Sequence, residues 1–203
     1  MKSQHDLSFS CQGDTYLFTT DTPQEHVDAV VWNAFKSGDR KALDYIFNKY
    51  VKLLYAYGGK ITKDQDLVED CIQDLFVELW QRRHSLSEVT HIKYYLLKSL
   101  RRRVARKLSS DKGVVVGDME VIEQDAGVEF PLEFKIIEEQ NAIEQRKKLF
   151  RAISLLSKRQ REAIYLKFYE KISYEQLADI MNLGIKSAYN LVGKAIETLR
   201  KNL

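Results

Sequence analysis

Apolar residues recur at helical spacing through the first half of the chain, from about residue 26 to residue 108. Three stripes, at 27–35, 42–57 and 67–80, repeat apolar side chains three and four positions apart, as amphipathic helices do. A fourth stripe keeps a strict spacing of four and consists of Ile92, Leu96, Leu100, Val104 and Leu108. Four such helices can share one buried core, so the pattern predicts a helical domain.

Short polar motifs between these stripes predict where the helices end and begin. Gly38 followed by Asp39 is typical of a helix end and the N-cap of the next helix. The glycine pair at 58–59 predicts the end of the second helix. Residues 62–65 (Thr-Lys-Asp-Gln) have the spacing of a capping box, which predicts the start of the third helix.

The helical pattern fades between about residues 109 and 141, where acidic residues, glycines and a proline accumulate, and this composition predicts a linker. Periodicity returns afterwards, with capping boxes that begin at Ser157 and Ser173. The helices expected there cover 142–156, 158–169, 174–182 and 186–201. The chain is therefore expected to be all-α. It would have two small helical domains, at 26–108 and 142–203, joined by an acidic linker at 109–141 and preceded by a tail, 1–25, of unassigned role.

The segment from Tyr174 to Ile196 has the pattern of a helix-turn-helix. Apolar residues on two short helices flank the turn at 182–184 (Asn-Leu-Gly), and Asn tolerates the left-handed backbone that such a turn requires. In a DNA-binding helix-turn-helix, the second helix lies in the major groove. Its outward residues here are Lys186, Ser187, Tyr189, Asn190, Gly193 and Lys194. An ordinary helical hairpin within a bundle would produce the same pattern.

Charge is segregated along the chain although its net value is only +3, from 32 Lys and Arg against 29 Asp and Glu. Residues 64–78 hold six acids and no base, whereas residues 91–112 hold eight bases and one acid. Residues 118–144 hold nine acids and one base, and residues 146–161 hold seven bases and no acid. Such blocks indicate different partners for different surfaces, and the basic blocks suit phosphate contacts.

Several classes of protein are disfavoured by composition. Two Cys and four His, all scattered, do not form a zinc motif or a disulfide framework, which favours a reducing, cytoplasmic location. No apolar run approaches the about 18 residues of a membrane span, and the first 26 residues have no apolar signal-peptide core.

Two motifs, in a fixed order, resemble those of a known family. Ser157 to Glu162, Ile172 to Ala178 and Lys194 to Arg200 look like the C-terminal DNA-binding domain of sigma-70 family transcription initiation factors. Asp66 to Trp80 looks like the helix of that family that binds core RNA polymerase. The order of acidic helix, basic helix, acidic linker and helix-turn-helix, in a short chain, resembles the extracytoplasmic-function (ECF) type.

The resemblance implies a role in initiation, with no enzymatic activity, no cofactor and no metal. The implied partners are core RNA polymerase, promoter DNA and an anti-sigma factor. The residues implied in polymerase binding are Asp66, Asp70, Gln73, Asp74, Phe76 and Glu78. Those implied at the −10 element, together with the loop at 81–90, are Tyr94, Tyr95, Lys98, Arg101, Arg102, Arg103 and Arg106. Those implied at the −35 element are Lys186, Ser187, Tyr189, Asn190 and Lys194.

Other interpretations of the same residues stay open at this stage. A stand-alone helix-turn-helix regulator would share the C-terminal motif, and a carboxylate-helix metal hydrolase would share the acids at 64–78. Tyr94 and Tyr95 could belong to the core, and the linker could be a solvated tether or a segment that occupies a basic channel. The acidic linker is also expected to cover the basic faces in the free protein, since opposite charges attract, so that the two domains lie close together.

Overall fold

The computed structural model describes residues 23–110 and 140–203, with side chains in the second range from residue 147 onward. The predicted tail and nearly all of the predicted linker lie outside the described residues, as do both interpretations of that linker. Within them every regular element is a helix and there is no strand, so the predicted all-α class is confirmed. The helices are α1 Gln24–Lys36, α2 Arg40–Ile61, α3 Gln65–Arg82, α4 Ile92–Ser110, α5 Gln140–Ser154, α6 Lys158–Ile164, α7 Tyr174–Ile180 and α8 Ile185–Asn202.

Most of the predicted helix boundaries have the expected local chemistry. Gly38 takes a left-handed φ of 98° after α1, and the carboxylate of Asp39 accepts a hydrogen bond from the Lys41 amide at 2.9 Å. Ser157 and Ser173 both form complete capping boxes, at the starts of α6 and α7. The helix expected over 158–169 is divided, since α6 passes into a π-helical turn over Tyr165–Tyr169.

Two predicted boundaries were wrong. Helix α2 continues through Gly58, because that residue provides close approach to α3 rather than a helix end: a Cβ there would lie 2.3 Å from Cγ1 of Val68. The cap of α3 is Asp64, whose carboxylate accepts a hydrogen bond from the Leu67 amide at 2.9 Å. Gln65, expected to complete a box with Thr62, instead accepts a hydrogen bond from the Tyr55 hydroxyl at 3.3 Å.

Helices α1 to α4, the N-terminal half, pack around a core that includes the fully buried Trp32, Leu54 and Leu96. The Asp28 carboxylate, 2 % exposed, accepts the Ile92 amide at 2.9 Å and therefore fixes the start of α4. The indole of Trp32 donates to the Ser87 carbonyl at 2.9 Å, which ties down the loop before α4. Both contacts join distant parts of the sequence and set the position of the basic helix.

The C-terminal half consists of α5 to α8, and in it α5, α6 and α7 all pack against α8. This half also contacts the N-terminal half, with α7 against α4 and α6 against α2. Buried apolar residues of the two halves form one continuous core, in which Tyr57 and Tyr165 stack at 6.2 Å between ring centroids. The basic helix α4 therefore lies between the acidic helix α3 and the first helix of the helix-turn-helix.

Candidate partner and nucleic-acid interfaces

The acidic face of α3 is divided between solvent and α4. Asp66, Asp70 and Gln73 are exposed. Asp74 reaches α4, where Lys107 Nζ lies 3.1 Å from Asp74 Oδ2. The exposed residues leave a surface that a basic partner can contact.

Glu78, also on α3, is held by two arginines. Arg82 Nη1 donates to Glu78 Oε1 at 2.9 Å, and Arg103 of α4 donates to the other carboxylate oxygen. These hydrogen bonds lower the pKa of the Glu78 carboxyl below its ordinary value. Glu78, predicted to bind polymerase, thus also joins α3 to α4.

Phe76 does not lie on the exposed face that was predicted for polymerase binding. It is 8 % exposed and packs edge-on against Phe47, with ring centroids 5.0 Å apart. The helical period places Phe76 on the same buried stripe as Ile72 and Leu79, which is why it is removed from solvent. Val77, which sequence reasoning passed over, is 55 % exposed one turn beyond Gln73 and Asp74.

Arg101 was predicted to contact DNA, but the structure buries it. Its side chain is 7 % exposed, and its Nε donates to Glu162 Oε1 of α6 at 2.7 Å. The Tyr57 hydroxyl donates to the same oxygen, also at 2.7 Å. Burial, and next the charge of Glu162, raise the pKa of Tyr57 well above its ordinary value. In this conformation the Arg101 guanidinium has no access to DNA.

The other predicted cations of α4 differ in their environment. Arg102 and Arg106 are exposed, and no carboxylate of the described residues forms an ion pair with either. Lys98 is paired with Asp179 of α7, and Arg103 with Glu78. Only part of the predicted −10 surface is therefore open to a ligand in this conformation.

Tyr94 and Tyr95 are both partly buried against the core. Tyr95 packs edge-on against Trp32 at 5.2 Å between ring centroids. Lys98 Nζ lies 5.8 Å from the ring centroid of Tyr94. Each ring thus has a packing role and retains some exposed surface.

A cleft of about 840 Å³ is lined by residues of α3, α4 and the C-terminal half. Its walls carry two carboxylates, Glu78 and Asp179, and a larger set of guanidinium groups. These belong to Arg82, Arg102, Arg103, Arg106 and Arg159. Arg101 also borders the cleft, but its guanidinium is bound to Glu162. The excess of cations favours an anionic ligand such as a nucleic-acid backbone.

The helix-turn-helix presents its second helix to solvent. Asn182 takes the predicted left-handed conformation, with φ 52°, and the Leu183 amide donates to the Ala178 carbonyl at 2.8 Å. The predicted −35 residues of α8 are all exposed, namely Lys186, Ser187, Tyr189, Asn190 and Lys194. Tyr189 also stacks on Tyr174 of α7, with ring centroids 3.8 Å apart, which restricts its orientation.

Sequence reasoning missed the acids with which the C-terminal half meets α4. These are Glu162, Glu170 and Asp179, which pair with Arg101, Lys93 and Lys98 respectively. Their positions in the sequence carry no signal for this role, because each partner lies more than sixty residues away.

The described residues contain neither a cluster of metal ligands nor a helix that could span a membrane. No group of three or more His, Cys, Asp or Glu side chains there is placed to hold a metal ion. No helix among them has the length and apolar character that crossing a bilayer requires.

Family models match both halves of the chain. The model for sigma-70 region 2 matches residues 46–113, and the model for sigma-70 region 4 matches residues 146–199. Together they cover more than half of the chain, in the order that the motifs predict. No curated protein sequence matches the chain.

Solved structures with a similar fold include two sigma-factor complexes. CnrH, in complex with the cytosolic domain of CnrY, is 17 % identical, with a TM-score of 0.56 over 86 % of this chain and 95 % of that one. The sigma factor RpoE of Bartonella quintana, in complex with the anti-sigma factor NepR, is 23 % identical, with a TM-score of 0.52 over 79 % of this chain and 96 % of that one. At these identities the likeness concerns the fold. With its matched regions 2 and 4, the chain belongs to the sigma-70 family of transcription initiation factors, which direct RNA polymerase to promoters, and it is of the extracytoplasmic-function type.

Proposed function

We propose that the chain divides initiation among three surfaces: α3 binds core polymerase, α4 with its preceding loop engages and helps melt the −10 element, and α8 reads the −35 element. The supporting observation is that α8, the second helix of the helix-turn-helix, has an exposed face. The same chain also matches the model for region 2. The protein acts without catalysis, in the cytoplasm, and uses no cofactor.

The polymerase surface is built on the exposed residues Asp66, Asp70 and Gln73, with Val77 as an apolar neighbour. Carboxylates on a helix face suit a basic partner, and one exposed apolar side chain adds area that is buried on docking. Asp74 and Glu78 contribute less in this conformation, since each already has a cation on α4.

The two DNA surfaces have different chemistry. Arg102 and Arg106 of α4 are suited to phosphates, and the partly exposed rings of Tyr94 and Tyr95 are suited to stacking with unpaired bases. On α8, Asn190 has the amide that pairs bidentately with adenine, and Lys186 can reach guanine or phosphate. Promoter melting therefore belongs to α4 and sequence discrimination at the −35 element to α8.

An anti-sigma factor is a further proposed partner. Support comes from the similar structures, one of which is a sigma factor in complex with an anti-sigma factor. Its contacts would include the exposed part of α3, because a ligand there excludes polymerase.

Transcription in vitro from a promoter library, with core polymerase in the presence and absence of this protein, tests the function. We expect specific transcripts only with both components. Asp70→Arg reverses a charge on the proposed docking face, and Asp44→Arg makes the same change on the exposed face of α2. We expect Asp70→Arg to weaken polymerase binding by at least about tenfold, which is about 1.4 kcal/mol. We expect Asp44→Arg to leave the affinity unchanged. Equal affinity of both folded variants and the unaltered protein would contradict the docking surface.

A further inference from the structure

Carboxylates of the C-terminal half form ion pairs with cations of α4 that could otherwise bind promoter DNA. Arg101, Lys93 and Lys98 project from α4, and each pairs with a carboxylate of the other half. Lys93 Nζ lies 2.5 Å from Glu170 Oε2 and also donates to the Glu170 carbonyl at 2.8 Å. Phosphates and these carboxylates therefore compete for the same ammonium and guanidinium groups.

Glu162 is the central residue of this contact. Its Oε1 accepts hydrogen bonds from both Tyr57 and Arg101, and its side chain is 6 % exposed. Of the other two pairs, Lys98–Asp179 is the exposed one, with side chains at 24 % and 43 %. In the Lys93–Glu170 pair the lysine is 31 % exposed, whereas the carboxylate is 5 % exposed and also accepts a hydrogen bond from the Tyr165 hydroxyl. Exposed ion pairs contribute little to stability. In a buried pair, by contrast, loss of one member leaves a buried charge without a partner, which destabilises the fold.

We infer that Glu162 is an intramolecular lock, which holds the −35 domain against α4 and keeps Arg101 from promoter DNA until the two halves separate. The inference rests on the proposed function of α4 in −10 binding. It adds a binding partner for that surface: the C-terminal half of the same chain. Separation exposes Arg101 and Glu162 to water in one step, so closed and open forms are distinct states. A phosphate of the promoter then replaces the carboxylate beside Arg101.

Chemical modification of arginine in the free protein tests the lock directly. Phenylglyoxal reacts with exposed guanidinium groups, and Arg102, the next residue along α4, is exposed and serves as an internal reference. We expect Arg101 to react at least about tenfold more slowly than Arg102 in the unaltered protein, because it reacts only from the open state. The two adjacent arginines lie on one chymotryptic peptide, and fragmentation of that peptide by tandem mass spectrometry gives both rates.

Glu162→Gln removes the charge and keeps the shape, and Tyr57→Phe removes one of the two donors. Glu197→Gln makes the same change as the first variant at an exposed position of α8. We expect Arg101 to approach the rate of Arg102 in Glu162→Gln, to rise partway in Tyr57→Phe, and to stay protected in Glu197→Gln. Circular dichroism shows whether each variant is folded. If Glu162→Gln does not fold, the rate of Arg101 in Tyr57→Phe provides the test.

The outcomes separate the lock from the proposed function, because the assay contains neither polymerase nor DNA. Equal rates at Arg101 and Arg102 in the unaltered protein would overturn the lock. Continued protection of Arg101 in folded variants of Glu162 or Tyr57 would also overturn it. A second measurement follows binding of the free protein to a fluorescein-labelled single-stranded DNA, and we expect Glu162→Gln to bind about tenfold more tightly than Glu197→Gln. Weaker or equal binding would contradict the claim that Glu162 competes with phosphate.

Discussion

The two proposed DNA-contacting helices, α4 and α8, differ in how far their predicted contact residues are open to solvent. The predicted contacts of α8 are all exposed, while on α4 Arg101 is buried and Lys98 and Arg103 are paired with carboxylates. The difference does not follow from helix chemistry, since both helices are amphipathic and basic at their C-terminal ends. It follows from position, because α4 lies between two acidic neighbours whereas the outward face of α8 is exposed. The paired cations of α4 can bind DNA only when their carboxylate partners leave.

The largest expected effect is on base discrimination by α8. Asn190→Ala removes a side chain that the structure leaves exposed and able to reach a base edge. We expect it to cost about 1–3 kcal/mol of discrimination at a single −35 base pair, with the affinity for other sequences nearly unchanged. Competition between −35 variants in transcription by the holoenzyme measures this. A uniform loss across all sequences would place Asn190 among the phosphate contacts.

A different signature is expected for the exposed arginines of α4. Arg102→Ala combined with Arg106→Ala removes two cations that no described carboxylate neutralises. We expect weaker binding on all sequences and a salt dependence whose slope falls by about 0.9 for each lost phosphate contact. Open-complex formation over a series of salt concentrations provides the slope. An unchanged slope would remove these residues from the −10 surface.

Gly193 offers a smaller change that is confined to α8. A Cβ there would meet no atom within 4 Å, and glycine within a helix is less stable than alanine by about 0.5–1 kcal/mol. Gly193→Ala should therefore raise the free energy of unfolding by that amount. Denaturant unfolding measures it, with Gly58→Ala as the contrasting variant, which destabilises because its Cβ would meet Val68. If Gly193→Ala destabilised the protein, the open surroundings described for Gly193 on α8 would be wrong.

The smallest expected effect concerns the tie between α3 and α4. The folded-state pKa of Glu78 lies below its ordinary value of 4.5, so its contribution is present above that pH and is lost as the pH falls through the folded-state pKa. Glu78→Gln should cost less than about 1 kcal/mol at neutral pH, since the carboxylate is partly exposed. Unfolding free energies of both proteins should converge below pH 4.5. A difference that grew on acidification would contradict the assigned direction.

Local features of this fold could be predicted from the sequence, and non-local ones could not. The capping boxes at Ser157 and Ser173 and the left-handed Asn182 depend on a few neighbouring residues, and the structure has all three. The helical period also determines that Phe76 is buried. Its candidacy for polymerase binding came from the family resemblance, although the same period already placed it in the apolar stripe of the helix.

The burial of Arg101 against Glu162 could not be predicted from the sequence. Its acid lies sixty-one residues away, and the tyrosine that shares this acid lies 105 residues from it. No periodicity or spacing encodes such a contact, because it depends on how two separately predictable domains pack together. The same reason explains Gly58, whose role is set by the approach of Val68 from another helix.

The distance between the two halves, free and bound to polymerase, tests the central claim that the free protein is closed over α4. Spin labels at Lys63→Cys and Lys201→Cys, both exposed in the structure, report it in a background with Cys11→Ser and Cys71→Ala. Unchanged melting of the unlabelled and labelled background proteins is the control. We expect one short distance in the free protein and a longer one when core polymerase is added. A free protein that is already extended, or a distance that polymerase leaves unchanged, would contradict the account.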